Sequence, residues 1–334
     1  MELRNLLIDE KSRIIFDARM DYKVDKSLLN FYQHLKANHE KYSFREVDEI
    51  LMRTGATQIY IWGYDDFSLY SYHALKDAGY AVRGLVNNTI VRKSVNVKQY
   101  TFEEVSEHLY NSIVVVFNRD ILSIPMQLLN NRNVLIRFSH VVGRNGKQYF
   151  DFFLPKEKEY FLDAGSLDGE TTRQFIDWCN GNYGAVYAFE ANPLMTGMCK
   201  ANLLKFVDSE KLFFYEVALW DKCKSVMFDN SGSKWDAHVD SSGKAVVKTN
   251  SIDNLLENRK VTFIKFDIEG SELMALHGAK QVIIKNKPRM AVSVYHNDDD
   301  LEKVMTFIRD LNLGYRFALR HYHSDAIETI LYVF

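Results

Sequence analysis

The chain has 334 residues, 47% of them hydrophobic and 26% charged, with a formal net charge of −2 and a pI near 6.6. That length and balance predict a globular protein of about two domains with room for a sizeable core. They carry none of the basic excess that would argue for nucleic acid or an anionic membrane as the main partner, so the expected ligand is a small molecule or a glycan. The opening MELRNLLIDEKSR breaks its apolar residues with charges, and the longest aliphatic runs, such as IVVVF at 113–117, are strand-length. Neither an export signal nor a membrane span is therefore expected. Cys179, Cys199 and Cys223 are odd in number and widely spaced, which predicts no disulfide framework and no zinc knuckle. A reducing, cytoplasmic setting is the expectation.

Residues 1–52 place apolar side chains at helical spacing, as in Leu28, Leu29, Phe31, Tyr32 and Leu35, and predict two or three helices. From Gln58 the pattern alternates: QIYIWGYDD reads as a strand and turn, SLYSYHALKDAGY as a helix, AVRGLVNN and NSIVVVFNRD as further strands. This predicts a small parallel α/β domain over 53–145. Gly, Pro and lysine clusters in 141–159 mark a connector, with 146–158 as the linker proper. A second α/β series over 159–334 follows, with strands EYFLDAG, AVYAFE, KLFFYEVALW, VTFIKFDIE and PRMAVSVYH. YRFALRHY and AIETILYVF then close the chain as an antiparallel hairpin.

The chemistry gathers in the second series. In FLDAGSLDGETT a strand delivers Asp163, and Gly165 and Gly169 permit a turn in which a ligand can approach the main chain before a helix presents its free N–H groups. The glycines are spaced G-x-x-x-G, not G-x-G-x-x-G, and Asp168 stands where it would repel a pyrophosphate. An acid-rich loop prefers a cationic ligand, and S-adenosylmethionine is one, whose charge Asp163 or Asp168 could neutralise. The plain alternative is a strand–turn–helix connection capped by Asp168. Glu190, in AFEANP, ends the next strand where a carboxylate can accept the hydroxyl protons of a ribose. VALWD at 217–221 could flank an adenine. FDIEGSE sets Asp267, Glu269 and Glu272 at the mouth of the fourth strand, although Glu269 and Glu272 could equally be helix-start acids. Asp267 follows the apolar run FIKF and is expected to have a charged or hydrogen-bonding partner. His296, at the tip of the fifth strand, could take a proton from a substrate hydroxyl, since an unperturbed imidazole titrates at about 6.5. His321 and His323 lie at the hairpin rim, where they could bind substrate or cap the turn. The polar stretch 222–247, around Trp235 and His238, could be a β-hairpin over the crevice with Trp235 stacked on a sugar, or a mere surface hairpin.

With those residues set out, 159–334 resembles the FkbM family of S-adenosylmethionine-dependent methyltransferases. The matching runs, in order, are FLDAGSLDGETT, AFEANP, VALWD, TNSIDNLL, IKFDIEGSELMALHGA, the strand from Pro288 through SVYH, and RHYHSDAIETILYVF. The resemblance implies a class I methyltransferase fold, a Rossmann-like seven-stranded sheet whose last strand is antiparallel, and methyl transfer to a hydroxyl of a sugar or glycan. Carried over by position, Asp163, Gly165, Ser166, Asp168, Gly169 and Thr171 become the methionine-binding loop, with Ser166 where the family often has Ala. Glu190, Ala191 and Asn192 would hold the ribose, Ala218 and Leu219 the adenine. Asp267, which would also face the cofactor, joins Glu269 and His296 as the catalytic set, while Trp235, His238, Glu272, Tyr295 and His321 would face the acceptor. No metal-ligand spacing is fixed, and a metal stays unassigned.

The segment IYIWGYDDFSLYSYHALKDAGYAVRGLVNN resembles the small Rossmann-like unit of some sugar-modifying enzymes, but it has only Gly63 and puts Asp65 and Asp66 where a phosphate would sit. A scaffold, a glycan-docking element or a homodimer surface is expected of it. Two other readings of the whole chain stand beside the methyltransferase: an NAD-dependent oxidoreductase, disfavoured by the missing G-x-G-x-x-G, and a non-catalytic scaffold that keeps the cofactor fold.

Overall fold

The computed structural model describes residues 3–36, 42–90, 96–117, 124–129, 131–137, 144, 146–229, 238–239 and 243–334. The chain forms two compact units, each discontinuous in sequence. The first comprises Ile14–Gly146 with Tyr322–Ala326, the second Met1–Arg13 and Lys147–His321 with Ile327–Phe334. Among the described residues no helix is long and apolar enough to cross a membrane.

The first unit is built on five strands, β1 (Gln58–Trp62), β2 (Val82–Asn87), β3 (Gln99–Thr101), β4 (Ser112–Phe117) and β5 (Val134–Arg137), in the order β3-β2-β1-β4-β5. Every pairing is parallel. The apolar runs that predicted strands are buried here: Tyr60, Trp62, Val86, Val114 and Val116 share one core with Val105 and Leu128. The two acids after β1 serve helix ends. Asp65 caps the helix Asp66–Asp77 by accepting from Ser68 N at 2.9 Å, and Asp66 accepts from Leu28 N at 2.8 Å and Ser27 Oγ at 2.7 Å.

The second unit carries the expected class I sheet. Its strands are β6 (Glu159–Ala164), β7 (Tyr183–Phe189), β8 (Leu212–Tyr215), β13 (Phe263–Phe266), β14 (Arg289–Ser293), β15 (Phe317–His321) and β16 (Thr329–Val333), ordered β15-β16-β14-β13-β6-β7-β8. The final strand, β16, runs antiparallel to both neighbours. Strand order reverses between β6 and β13, so the crevice of such a sheet lies at their carboxyl ends. Between β8 and β13 a small second sheet, β11-β10-β12-β9, is formed by β9 (Ala218–Leu219), β10 (Lys224–Asp229), β11 (His238–Val239) and β12 (Ala245–Asn250). In the stretch 222–247, where a hairpin was expected, β10 pairs antiparallel with both β11 and β12.

The helix after β6, Glu170–Trp178, turns Thr172 and Phe175 inward and Arg173, paired to Glu170 and Asp177, outward. Phe175 stacks on Phe161 of β6 with ring centroids 4.3 Å apart, and Phe150 packs on Phe161, Phe175, Trp178 and Phe263. Full burial of each phenylalanine contributes about 2–3 kcal/mol. Phe150 lies in the stretch whose composition reads as a linker, and Tyr149 and Phe153 beside it are buried too. Polarity at 156–158 marks a loop, but the aromatic run before it belongs to the core. The first residues complete this unit: Ile8 N donates to Phe317 O at 3.0 Å, and Asp9 meets Arg320 at 2.8 Å.

Candidate active site

Asp163 and Lys265 are register partners on adjacent parallel strands, so their side chains leave the sheet on the same face. Both are buried, with Lys265 Nζ 3.3 Å from Asp163 Oδ1, an ion pair without hydrogen-bond geometry. Thr172 Oγ1 donates to Asp163 Oδ2 at 2.7 Å. Lys265 Nζ donates to the carbonyls of Ala164 (3.1 Å) and Gly165 (2.7 Å), the first residues of the glycine loop. Burial raises the Asp163 carboxyl despite Lys265 and Thr172. Burial opposes the Lys265 charge as well, but Asp163 and Asp267 outweigh it and hold the amine above its ordinary value. Asp163 thus fixes the root of the loop through a lysine that the sequence reading did not single out.

Two glycines of the loop have physical reasons to be glycine. Gly165 has φ +86°, and a Cβ there would sit 2.0 Å from Asp267 O; Gly169 has φ +87° and leads into the helix Glu170–Trp178. Ser166 is buried, its Oγ donating to Asp163 O at 3.1 Å, while Asp168 Oδ1 accepts from Glu170 N at 3.1 Å as a helix-start cap. Thr171 is half-buried, and it is Thr172 that reaches Asp163. Glu190 is 7% exposed, and its two oxygens accept from Leu167 N and Asn192 N, each at 2.7 Å. Burial raises this carboxyl against those two N–H donors. Each oxygen keeps acceptor capacity for a further donor. Ala191 packs against the cluster of Ala218, Phe228 and Val247, so the tip of β7 and the strand β9 share one surface, with Leu219 buried beside it. Among the described residues, Asn192 Nδ2, Trp220 Nε1 and Asp221 Oδ1 are buried without a hydrogen-bond partner.

On the other side of the switch point, Asp267 Oδ2 accepts from Tyr149 OH at 2.6 Å and Oδ1 from Tyr295 OH at 3.4 Å. His296, with a side chain 10% exposed, stands among three carboxylates. Its Nδ1 is 3.0 Å from Glu272 Oε1, and its Nε2 is 3.5 Å from Asp267 Oδ1 and 3.4 Å from Glu269 Oε2. Glu272 is wholly buried, and its Oε1 accepts from Ile268 N at 2.8 Å, so it is more than an exposed helix-start acid. Glu269 holds a left-handed φ of +53°, a conformation that costs a non-glycine residue about 1–3 kcal/mol and clusters at functional sites. The near-neutral imidazole expected from sequence is not what this setting produces. Burial would lower the His296 pKa, but Glu272, Asp267 and Glu269 together raise it to about 10. At neutral pH the ring is a cation. Burial would raise Asp267, but Lys265, His296 and the Tyr149 hydroxyl outweigh it and hold that carboxyl below its ordinary value.

The remaining expected residues are Trp235, His238 and His321. Trp235 lies outside the described residues, and His238 is described only as backbone, paired to Asp229. His321 is buried, its Nδ1 2.8 Å from Thr329 Oγ1 across the β15/β16 pair. Lys265 and Tyr149 are the additions that sequence reasoning missed. A lysine inside FIKF at a parallel strand's centre was the available signal, because a buried lysine requires an acid.

Residues 163–317 match the family model described as the methyltransferase FkbM domain. Among solved structures, the FkbM methyltransferase of Methylobacillus flagellatus KT shares 18% identity, with 97% of this chain and 99% of that one covered and a TM-score of 0.52, a likeness of fold. An rRNA methylase from Streptococcus thermophilus is similar at 13% identity over 54% of this chain and 87% of that one (TM-score 0.35). Aeropyrum pernix fibrillarin, solved with S-adenosyl-L-methionine, is similar at 11% identity over 55% and 69% (TM-score 0.36). No curated protein matches the sequence. Sheet order and strand-tip acids agree with that family match, and over residues 163–317 the chain is similar to the methyltransferase FkbM domain.

Proposed function

We propose that this domain transfers a methyl group from S-adenosylmethionine to a hydroxyl of a sugar or glycan. The observation that carries the reading is the set of acids at the carboxyl ends of the strands, where the switch point sets the crevice: Asp267, Glu269 and Glu272 surround His296, and Asp168 and Glu190 follow β6 and β7, while Lys265 is already paired to Asp163. Such a crevice favours a cationic cofactor over a pyrophosphate. The residues present fit it. Glu190 retains acceptor capacity for a ribose, and Asn192 Nδ2, Trp220 Nε1 and Asp221 Oδ1 are buried polar atoms in need of partners beside the surface expected to hold an adenosine. Bound there, S-adenosylmethionine would supply an electrophilic methyl group on a sulfonium.

The protein's own work is positioning and proton handling. Tyr149 and Tyr295 hydroxyls orient Asp267, and burial with nearby carboxylates keeps both phenols protonated as donors. His296, charged at neutral pH, holds Asp267, Glu269 and Glu272 as anions around it. The proton shed by the acceptor hydroxyl then goes to a carboxylate, and Glu269, with 37% of its side chain exposed, is the one best reached from solvent. An acid-lined mouth suits a ligand that presents several hydroxyl donors, which supports a sugar.

Calorimetry with S-adenosylhomocysteine and NAD, followed by labelled-methyl transfer to nucleotide sugars and glycan fragments, tests the reading. Binding of S-adenosylhomocysteine alone, weakened about tenfold or more in Glu190→Gln, and label on a sugar hydroxyl are expected. Binding of NAD instead would favour an oxidoreductase, and binding of neither a scaffold.

A further inference from the structure

We propose that Asp267, Glu272 and His296 form a binding site for one divalent cation of the manganese or magnesium class, which presents the acceptor hydroxyl in the reaction proposed above. One donor atom from each residue lies within 4.8 Å of the other two. In an octahedral shell with metal–donor distances of about 2.0–2.2 Å, neighbouring donors stand about 3 Å apart and opposed ones about 4.3 Å, so shifts of roughly 0.5 Å close the set.

Convergence of acids alone would not make a site. The second observation is an imidazole aimed into them, nine-tenths buried, which stands at ion-pair distance from the carboxylates but has neither ring nitrogen in hydrogen-bond geometry among the described residues. Glu272 Oε2 is likewise buried and without a hydrogen-bond partner among them. Buried polar atoms are nearly always satisfied, and an ion is one of the few explanations for a group that is not. The outer contacts suit ligands held in place. Ile268 N fixes one oxygen of Glu272, and Tyr149 OH fixes Asp267 Oδ2, which leaves Oδ1 turned to the ring. The residues sit on rigid ground, after β13, at the first turn of the helix Glu272–His277 and just past β14.

The donor set indicates the metal. Two carboxylates and one imidazole are harder than the sets typical of zinc, and three protein ligands leave positions open on an octahedral ion. An open position can take the acceptor hydroxyl, whose proton becomes easier to lose on a Lewis acid; the proton goes to Glu269 or solvent while the hydroxyl oxygen stays bound. On binding, His296 gives its proton to solvent and offers one nitrogen to the ion.

The experiment is a Mn2+ titration of the full chain after chelator dialysis, read by loss of the free-ion electron paramagnetic resonance signal. Mg2+ and Zn2+ serve as competitors, and S-adenosylhomocysteine binding is measured in parallel without metal. One Mn2+ per chain is expected, weakened about 30-fold or more in both His296→Ala and Asp267→Asn, with folding of each variant checked by circular dichroism. No saturable binding of any of the three ions up to about 1 mM, or binding unchanged in both folded variants, would overturn the site. Should either variant fail to fold, Glu272→Gln replaces it with the same expectation. Metal bound without S-adenosylhomocysteine would leave the cation site standing and sink the methyl-transfer reading; the reverse would do the opposite.

Discussion

Replacing Lys265 by methionine removes the cation while keeping the length and most of the volume of the side chain. It leaves Asp163 wholly buried with only the Thr172 hydroxyl, 2.7 Å away, and takes a donor from the carbonyls of Ala164 and Gly165. Breaking a buried ion pair by deleting one partner typically costs about 3–5 kcal/mol. Ala164 O still accepts from Asp267 N at 3.2 Å, so the lost carbonyl contacts add about 1–2 kcal/mol at most. An overall loss of roughly 5 kcal/mol is expected, a large part of a typical domain's stability of about 5–15 kcal/mol. The loss should depend on pH. Without Lys265 the Asp163 carboxyl rises further above its ordinary value, so the folded variant binds that proton more tightly than the unfolded chain. Stability of the variant therefore climbs as pH falls through the raised folded value, and its deficit against wild type narrows toward pH 5. Urea transitions of wild type, K265M and the double variant D163N/K265M at pH 5 and pH 8, with matched m values, measure this. The double variant should recover about half the loss. A K265M deficit under about 1 kcal/mol at pH 8, or one equal at both pH values, would refute the assignment of Lys265 as the counter-ion of Asp163.

Gly165→Ala forces a Cβ to within 2.0 Å of Asp267 O at a φ of +86°, so S-adenosylhomocysteine affinity should fall at least about 100-fold, read by calorimetry, with a lowered melting temperature. Asp9 is held at about 2 because its hydrogen bonds from Arg320 and Ser12 outweigh burial. Its stabilisation is therefore complete above the unfolded value of 3.8 and is lost as pH falls toward 2. With a third of the side chain exposed, the contribution is discounted to roughly 1 kcal/mol, so the gap between wild type and Asp9→Asn in urea titrations should close between pH 5 and pH 2.

Most of the second unit's strands, and the strand-end placement of its acids and of His296, were legible, because a parallel sheet writes its strands as apolar runs and sets its crevice at their carboxyl ends. Asp163, Glu190, Asp267 and His296 could be found that way. What was hidden depended on partners distant in sequence. Lys265 looks like one polar residue in FIKF until β13 is set in register with β6. Tyr149 stands in a stretch whose lysines and proline suggest a linker, while its neighbours Phe150 and Phe153 are core. The charge of His296 follows from three carboxylates on the segment after β13, brought to the ring only by the pairing of β13 with β14, and no local pattern around His296 encodes their sum. That Thr172 rather than its neighbour faces Asp163 turns on helix phase, which one residue of boundary error reverses.

The backbone bond from Ile8 to Phe317 and the Asp9–Arg320 pair join groups about 310 residues apart along the chain. A gene cut near residue 147 to produce the methyltransferase domain alone would discard the segment that lines β15, and exposed Phe317, Leu319 and Arg320 would be the result. For the same reason the ribosome releases these strand-lining residues long before their partners exist, so this edge of the sheet can be sealed only after Phe317 to Arg320 have been made. Permuting the chain to place residues 3–13 after Phe334 would offer them to β15 at the moment it forms.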